Sequence, residues 1–316
     1  MSSARPRVLV VYKRTTYQRY QGQSNARLAQ LLREKDSSVD NLLAAHEAHL
    51  TTMKRTRAAL ERLGCDASFE HKVRTAPDET LDLVVTVGGD GTLLWASHIV
   101  DARTKMVAIN SAPGTSVGYF CAGTGDDVEE ILESALSGKL RPTKLTRMEV
   151  EIDGERVSKR VLNDVLFSHR CPAAASKYHI RFGEEEESQL SSGIWAGPAA
   201  GSTAAIRSAG GKVLPIGSRK LQWVVREPYH GIDERYELIR GFVSPGESLY
   251  IKSRMREGVL YLDGANRVIG VDIGSTIRLS ESDEPLLLLG LERREREHPS
   301  RRHRRSGEAP DQRSSR

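Results

Sequence analysis

The sequence predicts an α/β fold with a parallel sheet, followed by a β-rich, sandwich-like second unit, with the C-terminal strand returning to the first. Three observations predict it. Over the first 140 residues short apolar runs alternate with helical stretches, an order that demands parallel strand pairing. Beyond Lys139 short strand-like runs are separated by Gly-containing turns, the pattern of an antiparallel unit. A last apolar run at 286–291 stands alone after that unit, where only another sheet can bury it.

In chain order, Val8, Leu9, Val10 and Val11 form a buried-strand run that reaches Tyr12, followed by polar, Arg-rich sequence. Residues 40–63 read as one long helix, with Leu42, Leu50, Met53, Leu60 and Leu63 as its apolar stripe and Gly64 as its stop. Residues 81–87 are a second strand, which ends abruptly in Gly88-Gly89-Asp90-Gly91-Thr92 before a helix over 93–100. Residues 106–109 are a third strand ending at Asn110, and 126–138 an amphipathic helix with acids in its first turn. Strands are then expected at 148–152, 156–167, 178–182, 222–225, 249–251, 258–262 and 268–273, with turns at Asp153-Gly154 and Asp263-Gly264. The chain divides into an α/β unit (1–144), a β-rich unit (145–274), a return segment (275–292) and a tail (293–316). The tail lacks any apolar period and is expected to be disordered.

Composition excludes several classes. With 316 residues, 38% hydrophobic and 28% charged, the chain can bury a sizeable core and is neither fibrous nor wholly disordered. No run nears the roughly 20 apolar residues of a spanning helix. The three cysteines, Cys65, Cys121 and Cys171, lie far apart without a CxxC pair, which argues against a disulfide framework and for a reducing compartment. The apolar run at 8–11 is too short for a signal-peptide core, so a cytoplasmic location is expected. The net charge of +5 is concentrated in the last 25 residues, where nine Arg stand against five acids. The rest of the chain is nearly neutral, so charge gives no support to nucleic-acid binding by the folded part.

The sharpest chemical signal is the Gly88–Thr92 string. Glycines at a strand end let backbone N–H groups approach phosphate oxygens, and the helix that follows adds a favourable dipole. Asp90 then stands at the carboxyl edge of the sheet, the usual ligand position in open α/β folds. There it can accept a hydroxyl proton or help hold a metal. The structural alternative is a plain Gly-rich turn with Asp90 as a helix cap. The loop from Asn110 to Phe120, rich in Gly and Pro, passes the same edge or is an ordinary connection. Asn163 and Asp164 interrupt an apolar strand pattern, so one of them should point inward and need a partner, unless they mark a strand-end turn. Small residues crowd Gly193 to Ala204 and Ser208 to Gly211, either for close approach of a ligand, with Ser202 and Thr203 supplying hydroxyls, or for tight helix-on-sheet packing. His46 and His49 are read as a solvated helix face, Glu184 to Glu187 as a hairpin tip, and Cys121 and Cys171 as small core or surface residues. No Gly-x-Ser-x-Gly elbow and no Gly-Lys-Ser/Thr loop is present.

The Gly88–Thr92 string after a strand, Asn163-Asp164 in a later strand, and Gly201-Ser202-Thr203-Ala204 followed by Ser208-Ala209-Gly210-Gly211 together resemble the NAD kinase family. The order and spacing agree over about residues 8–290. The first string alone is shared with lipid kinases and, in variant form, with phosphofructokinases. Gly88 to His98 and Ala199 to Ala204 are similar to a divergent, plant-type branch that accepts NADH. The resemblance implies transfer of the ATP γ-phosphoryl group to the adenosine 2′-hydroxyl of NAD or NADH, with Mg²⁺ or another divalent cation carried by the phosphates or touching Asp90. It implies Asp90 as proton acceptor, and Gly88, Gly89, Gly91, Thr92 and Asn110 as the ATP and phosphate site of the first unit. Asp90, Gly91, Asn163, Asp164, Ser202, Thr203, Ala204, Tyr119 and Phe120 are implied as dinucleotide contacts. It also implies a homodimer or homotetramer; composition and charge argue against membrane and nucleic-acid partners. The sequence departs from the family at Ser192, at Gly197-Pro198-Ala199-Ala200 and at Ala205, positions that bear on dinucleotide pose. A lipid or sugar kinase of the same superfamily and a catalytically inactive dinucleotide sensor are the competing readings.

Overall fold

The computed structural model describes residues 5–21, 26–71, 73, 80–229 and 235–292; the tail expected at 293–316 lies outside them. Along the first half come β1 (Arg7–Tyr12), α1 (Thr16–Gln21), α2 (Ala26–Glu34), α3 (Asp40–Arg62), β2 (Asp66–His71), β3 (Leu83–Gly88), α4 (Asp90–Ser97), β4 (Lys105–Asn110), β5 (Gly123–Thr124), α5 (Val128–Leu136) and β6 (Pro142–Leu145). The second half runs β7 (Met148–Ile152), β8 (Glu155–Val161), β9 (Val165–His169), β10 (Ser176–Phe182), β11 (Glu185–Ser191), β12 (Ile194–Gly197), α6 (Ala205–Ser208), β13 (Leu221–Val225), β14 (Arg240–Val243), β15 (Ser248–Ser253), β16 (Gly258–Leu262), β17 (Val268–Val271), β18 (Thr276–Glu281) and β19 (Leu286–Leu289).

The first sheet has the order β2-β1-β3-β4-β19-β6, with β5 beside β4. All pairs are parallel except β19 with β6. Its central strands are apolar on both faces because both are covered. Leu9, Val11, Val84 and Met106 face one core with Leu93 and Ala96 of α4. Val8, Val10, Val85 and Val107 face the other, with Ala59 and Leu60 of α3 and Ile131 and Leu132 of α5.

The stripe expected on α3 differs from the face it buries. His49, Thr52, Thr56, Ala59 and Leu60 point inward, whereas Leu50 is 46% exposed. The N-terminal half of α3 packs over polar loops at the sheet edge, not over apolar strands. A Cβ on Gly125 would sit 2.2 Å from the Thr52 hydroxyl. The Thr52 and Thr56 hydroxyls bond back to the carbonyls of Ala48 and Thr52, so the polar face is satisfied.

The second unit is a pair of antiparallel sheets, β11-β10-β15-β18-β7-β8 and β14-β13-β12-β9-β16-β17. They share a core that includes Phe167, Tyr178, Ile180, Trp223, Ile251 and Leu260. Two expectations change here. The strand expected over 156–167 is two strands in different sheets, because the backbone N–H groups of Leu162, Asn163 and Asp164 donate to the Asp263 carboxylate and not to a strand. The return expected from 275 begins later, because β18 lies between β15 and β7 and buries Ile277 and Leu279 in the sandwich. The fully buried Arg147 fastens the crossing point. Its guanidinium donates to the carbonyls of Glu284, Ser97 and Val100, and burial lowers its pKa to about 10. No helix among the described residues is long and apolar enough to cross a membrane.

Candidate active site at the sheet edge

β3 and β4 end side by side, with Gly88 opposite Asn110. Gly89, in extended backbone, precedes Asp90, the first residue of α4. Two of the glycines are required by their neighbours. A Cβ on Gly88 would lie 2.0 Å from the Thr92 hydroxyl, and one on Gly89 would lie 2.3 Å from Ser116 Oγ. Gly91 has nothing within 4 Å and is exposed, so the approach from that side is open. Asp90 is half-buried. Its Oδ2 accepts from the Tyr119 N–H at 2.7 Å and its Oδ1 from the Phe120 N–H at 2.8 Å. Each oxygen keeps a further lone-pair direction for a ligand.

The Asn110 amide braces this arrangement: Nδ2 donates to Ser116 O, and Oδ1 accepts from Ala112 N–H. Gly118, at φ +55°, turns the loop against that amide, where a Cβ would sit 2.5 Å from Nδ2. Tyr119 is half-exposed and meets Phe120 edge-to-face, while Phe120 itself is buried in the core under α4.

The Asn163 segment and the small-residue stretch come together. A Cβ on Gly201 would lie 1.6 Å from the Asn163 carbonyl oxygen, and one on Gly197 would lie 2.4 Å from it. Leu162 and Ala200 share the core cluster of Leu93, Phe120 and Cys121, which brings this segment to the Asp90 side of the first sheet. Asp164 is 6% exposed and accepts a hydrogen bond from Asn163 Nδ2 at 2.6 Å. Burial and the neighbouring Asp263 carboxylate push its pKa up to about 7, against the Asn163 hydrogen bond. Asn163 and Asp164 thus sit on a crossing between sheets, not within a strand. Ser202, expected to supply a hydroxyl at this junction, turns that hydroxyl onto the chain's own backbone. It is fully buried, donates to Ala199 O and accepts from Leu214 N–H, so it holds the turn. Thr203 is half-buried and Ala204 exposed beside it.

Sequence reasoning missed two supports of the site. The His98 ring, at the end of α4, lies against Asp263, with Nε2 2.8 Å from Oδ2 in a contact not aligned as a hydrogen bond. Asp263 occupies the β16–β17 turn at φ +50°, and its own N–H donates to Asp164 O. One carboxylate therefore joins α4 to the Asn163 segment, although the sequence marked Asp263 only as a turn residue. His49, expected on a solvated face, is 2% exposed, with Nδ1 2.9 Å from Ser111 Oγ. Burial and the Lys13 charge hold its pKa near 4. Among the described residues no three His, Cys, Asp or Glu side chains group to hold a metal ion.

Residues 7–152 match the diacylglycerol kinase catalytic domain family. A protein of Oryza sativa subsp. japonica named as a probable NADH kinase is 35% identical over 261 residues, covering 76% of this chain and 80% of its own. An NADH kinase of Arabidopsis thaliana is 34% identical over 233 residues, covering 67% of this chain and 73% of its own. The fold matches a crystal structure of an NAD kinase from Archaeoglobus fulgidus in complex with ATP, with a TM-score of 0.66 and 21% identity over 95% of this chain and all of that one. It also matches yeast NADH kinase complexed with NADH, with a TM-score of 0.67 and 13% identity over 91% of this chain and 84% of that one.

Proposed function

Because the chain belongs to the NAD kinase family, we propose that it transfers the γ-phosphoryl group of ATP to the adenosine 2′-hydroxyl of NAD or NADH, giving NADP or NADPH. Of two plant relatives, one is named a probable NADH kinase and the other an NADH kinase, and the similarity to them extends well past the first sheet into the second unit. The observation that carries the reading is the placement of Asp90, a half-buried carboxylate oriented by two backbone amides beside the open Gly91 approach. In the proposed step Asp90 takes the proton of the 2′-hydroxyl as that oxygen attacks the γ-phosphorus, and ADP leaves. Such transfer rests on positioning and charge stabilisation more than on covalent chemistry. Gly88, Gly89, Gly91 and Thr92 form the phosphate loop, with Asn110 fixing its neighbour. Asn163, Asp164, Tyr119, Thr203 and Ala204 line the dinucleotide side, with Phe120 and Ser202 supporting it from beneath. Mg²⁺ belongs with the triphosphate, since it is commonly held by one or two carboxylates plus substrate phosphates, and Asp90 is the carboxylate at this edge. The assembly is proposed to be a homodimer or homotetramer, for which exposed Val268 and Ile273 near β17 offer apolar surface.

The test is a coupled assay of the purified chain with ATP and Mg²⁺ against NAD, NADH, a sphingoid lipid and diacylglycerol. Formation of NADP or NADPH is the expected result. Phosphorylation of a lipid alone, which the match over residues 7–152 makes worth testing, would overturn it.

A further inference from the structure

Asp263 and His98 meet at the junction of the two units, with side chains 2% and 3% exposed. A carboxylate buried to that degree needs donors on its oxygens. Asp263 takes three backbone N–H groups, from Leu162 at 2.9 Å, Asn163 at 2.6 Å and Asp164 at 3.1 Å. Its own N–H closes a return bond to Asp164 O at 2.8 Å. Residues 162–164 are thereby wrapped around one side chain. His98 Nε2 lies 2.8 Å from Asp263 Oδ2. Two lone pairs at that distance would repel, so Nε2 carries the proton that faces the carboxylate. Nδ1 has no hydrogen-bond partner among the described residues, so the Asp263 contact is the polar tie of this ring.

His98 caps the C-terminal end of α4, and Asp90 is the first residue of the same helix. The C-terminal end is gripped at the crossing and from β8. The Ser97 and Val100 carbonyls accept from Arg147, and the His98 carbonyl accepts from Arg160 at 3.1 Å. Cations suit the negative end of a helix. Over its 8 residues α4 rises about 12 Å, as one stiff rod with Asp90 at the far end. The route from Asp90 to Asn163 therefore runs down α4, across the His98–Asp263 contact and into the amides of residues 162–164. Leu162 also packs in the cluster of Leu93, but apolar contact is non-directional and leaves the register of the two sides loose. The hydrogen bonds of the carboxylate are directional and fix it.

We propose that Asp263 and His98 are positioning residues of the transfer reaction: together they set the separation and register of Asp90 and the Asn163–Asp164 segment, and so align the acceptor hydroxyl on Asp90. The inference deepens the function proposed above and rests on it. Both side chains are too buried to touch substrate, so they act through Asp90 on one side and through Asn163 and Asp164 on the other. The acceptor half of the reaction depends on them, and the ATP half does not. A misplacement of about 1 Å in such a site costs about 10²-fold in rate.

The test compares wild type with Asp263→Asn, His98→Leu and His98→Gln, below the melting transition of each. Asn tolerates the φ of +50° at position 263 and keeps the shape, but loses the charge and one acceptor. Leu removes the ring N–H at similar volume, and Gln returns an N–H near the place of Nε2. Asp263→Asn and His98→Leu should lower kcat about tenfold or more and raise the KM for the dinucleotide about threefold or more, while the KM for ATP stays within about twofold. His98→Gln should recover to within about threefold of wild type. A merely structural pair would lower the thermal midpoints and leave kcat and both KM values of the folded protein unchanged, and that result overturns the proposal. So does His98→Gln as slow as His98→Leu, or a KM for ATP that rises with that for the dinucleotide. Should wild type form neither NADP nor NADPH, the proposed function fails, and amide hydrogen exchange then decides whether the pair fixes the segment. Asp263→Asn should speed exchange at Asn163 and Asp164 about tenfold or more and leave β1 and β4 at wild-type rates. Unaltered exchange at Asn163 and Asp164 sinks the pair as well.

Discussion

His49 and Asp164 titrate in opposite senses. The pKa of His49 is held near 4 by burial, below the ordinary histidine value. Its contribution to stability is present above about pH 6.5 and is lost as the pH falls through about 4. Asp164 is raised to about 7. Its contribution is complete below the usual carboxylate range, near pH 4, and is lost as the pH rises through about 7. Each limb is worth at most roughly 4 kcal/mol, and over the same window the two oppose each other. Urea midpoints measured from pH 4.5 to 7.5 should therefore rise toward acid in His49→Gln, where only the Asp164 limb remains, relative to wild type. Asp164→Asn should show the reverse slope. Identical profiles for all three proteins would mean that these groups are not buried as described. The inward placement of one of Asn163 and Asp164 was legible in the sequence, but the burial of His49 was not. His49 stands at helical spacing from His46 and reads as surface, because nothing local reveals that α3 lays its polar face on the Ser111 loop.

Among the elements, three kinds were legible in advance: strands that bury both faces, a glycine signature at a strand end, and alternating sandwich strands such as β7, β10 and β15. β1, β3 and β4 are strands of the first kind, and the turn from β3 into α4 is such a signature. α2 places Leu28, Leu31 and Leu32 on one face yet buries no residue, whereas β2 alternates between half-buried and exposed at the sheet edge and β11 begins with three glutamates, so the two strands offer no apolar period to read. The pairing of His98 with Asp263 spans most of the chain and leaves no local trace. The small-residue stretch was legible in composition, but its reason is steric: Gly197 and Gly201 receive the Asn163 carbonyl. Gly201→Ala should cost several kcal/mol, as overpacking against backbone does, and raise the KM for the dinucleotide through displacement of Asn163. Gly91→Ala, with open space and no positive φ, should unfold at a midpoint close to wild type. Thermal melts of the two side by side check the contrast, and a Gly201→Ala protein as stable as Gly91→Ala would contradict it.

At the scale of the whole molecule, β19 makes the chain return through the sandwich to complete the first sheet. It pairs with β4 on one side and β6 on the other. Leu286 and Leu288 enter one core of that sheet and Leu289 the other, so the last strand seals both faces. Leu288→Ala should cost about 2 to 5 kcal/mol by leaving a cavity beside Met106 and Leu145. Chemical denaturation followed by tryptophan fluorescence, to which Trp95 in α4 contributes, would report it. A cost below about 1 kcal/mol would mean that β19 is peripheral. That the strand returns was legible because four leucines after an antiparallel unit need a second sheet. Where it departs was not, since β18 alternates like any sandwich strand.

The same closure brings the second unit against the edge where Asp90 stands, and the functional account depends on that carboxylate. The most direct measurement is the rate of NADP or NADPH formation from ATP by Asp90→Asn beside wild type, with matched thermal midpoints. A general base removed without loss of fold should lower turnover by about 10²- to 10⁴-fold. A variant that forms product at the wild-type rate would contradict the assignment of Asp90 as the proton acceptor.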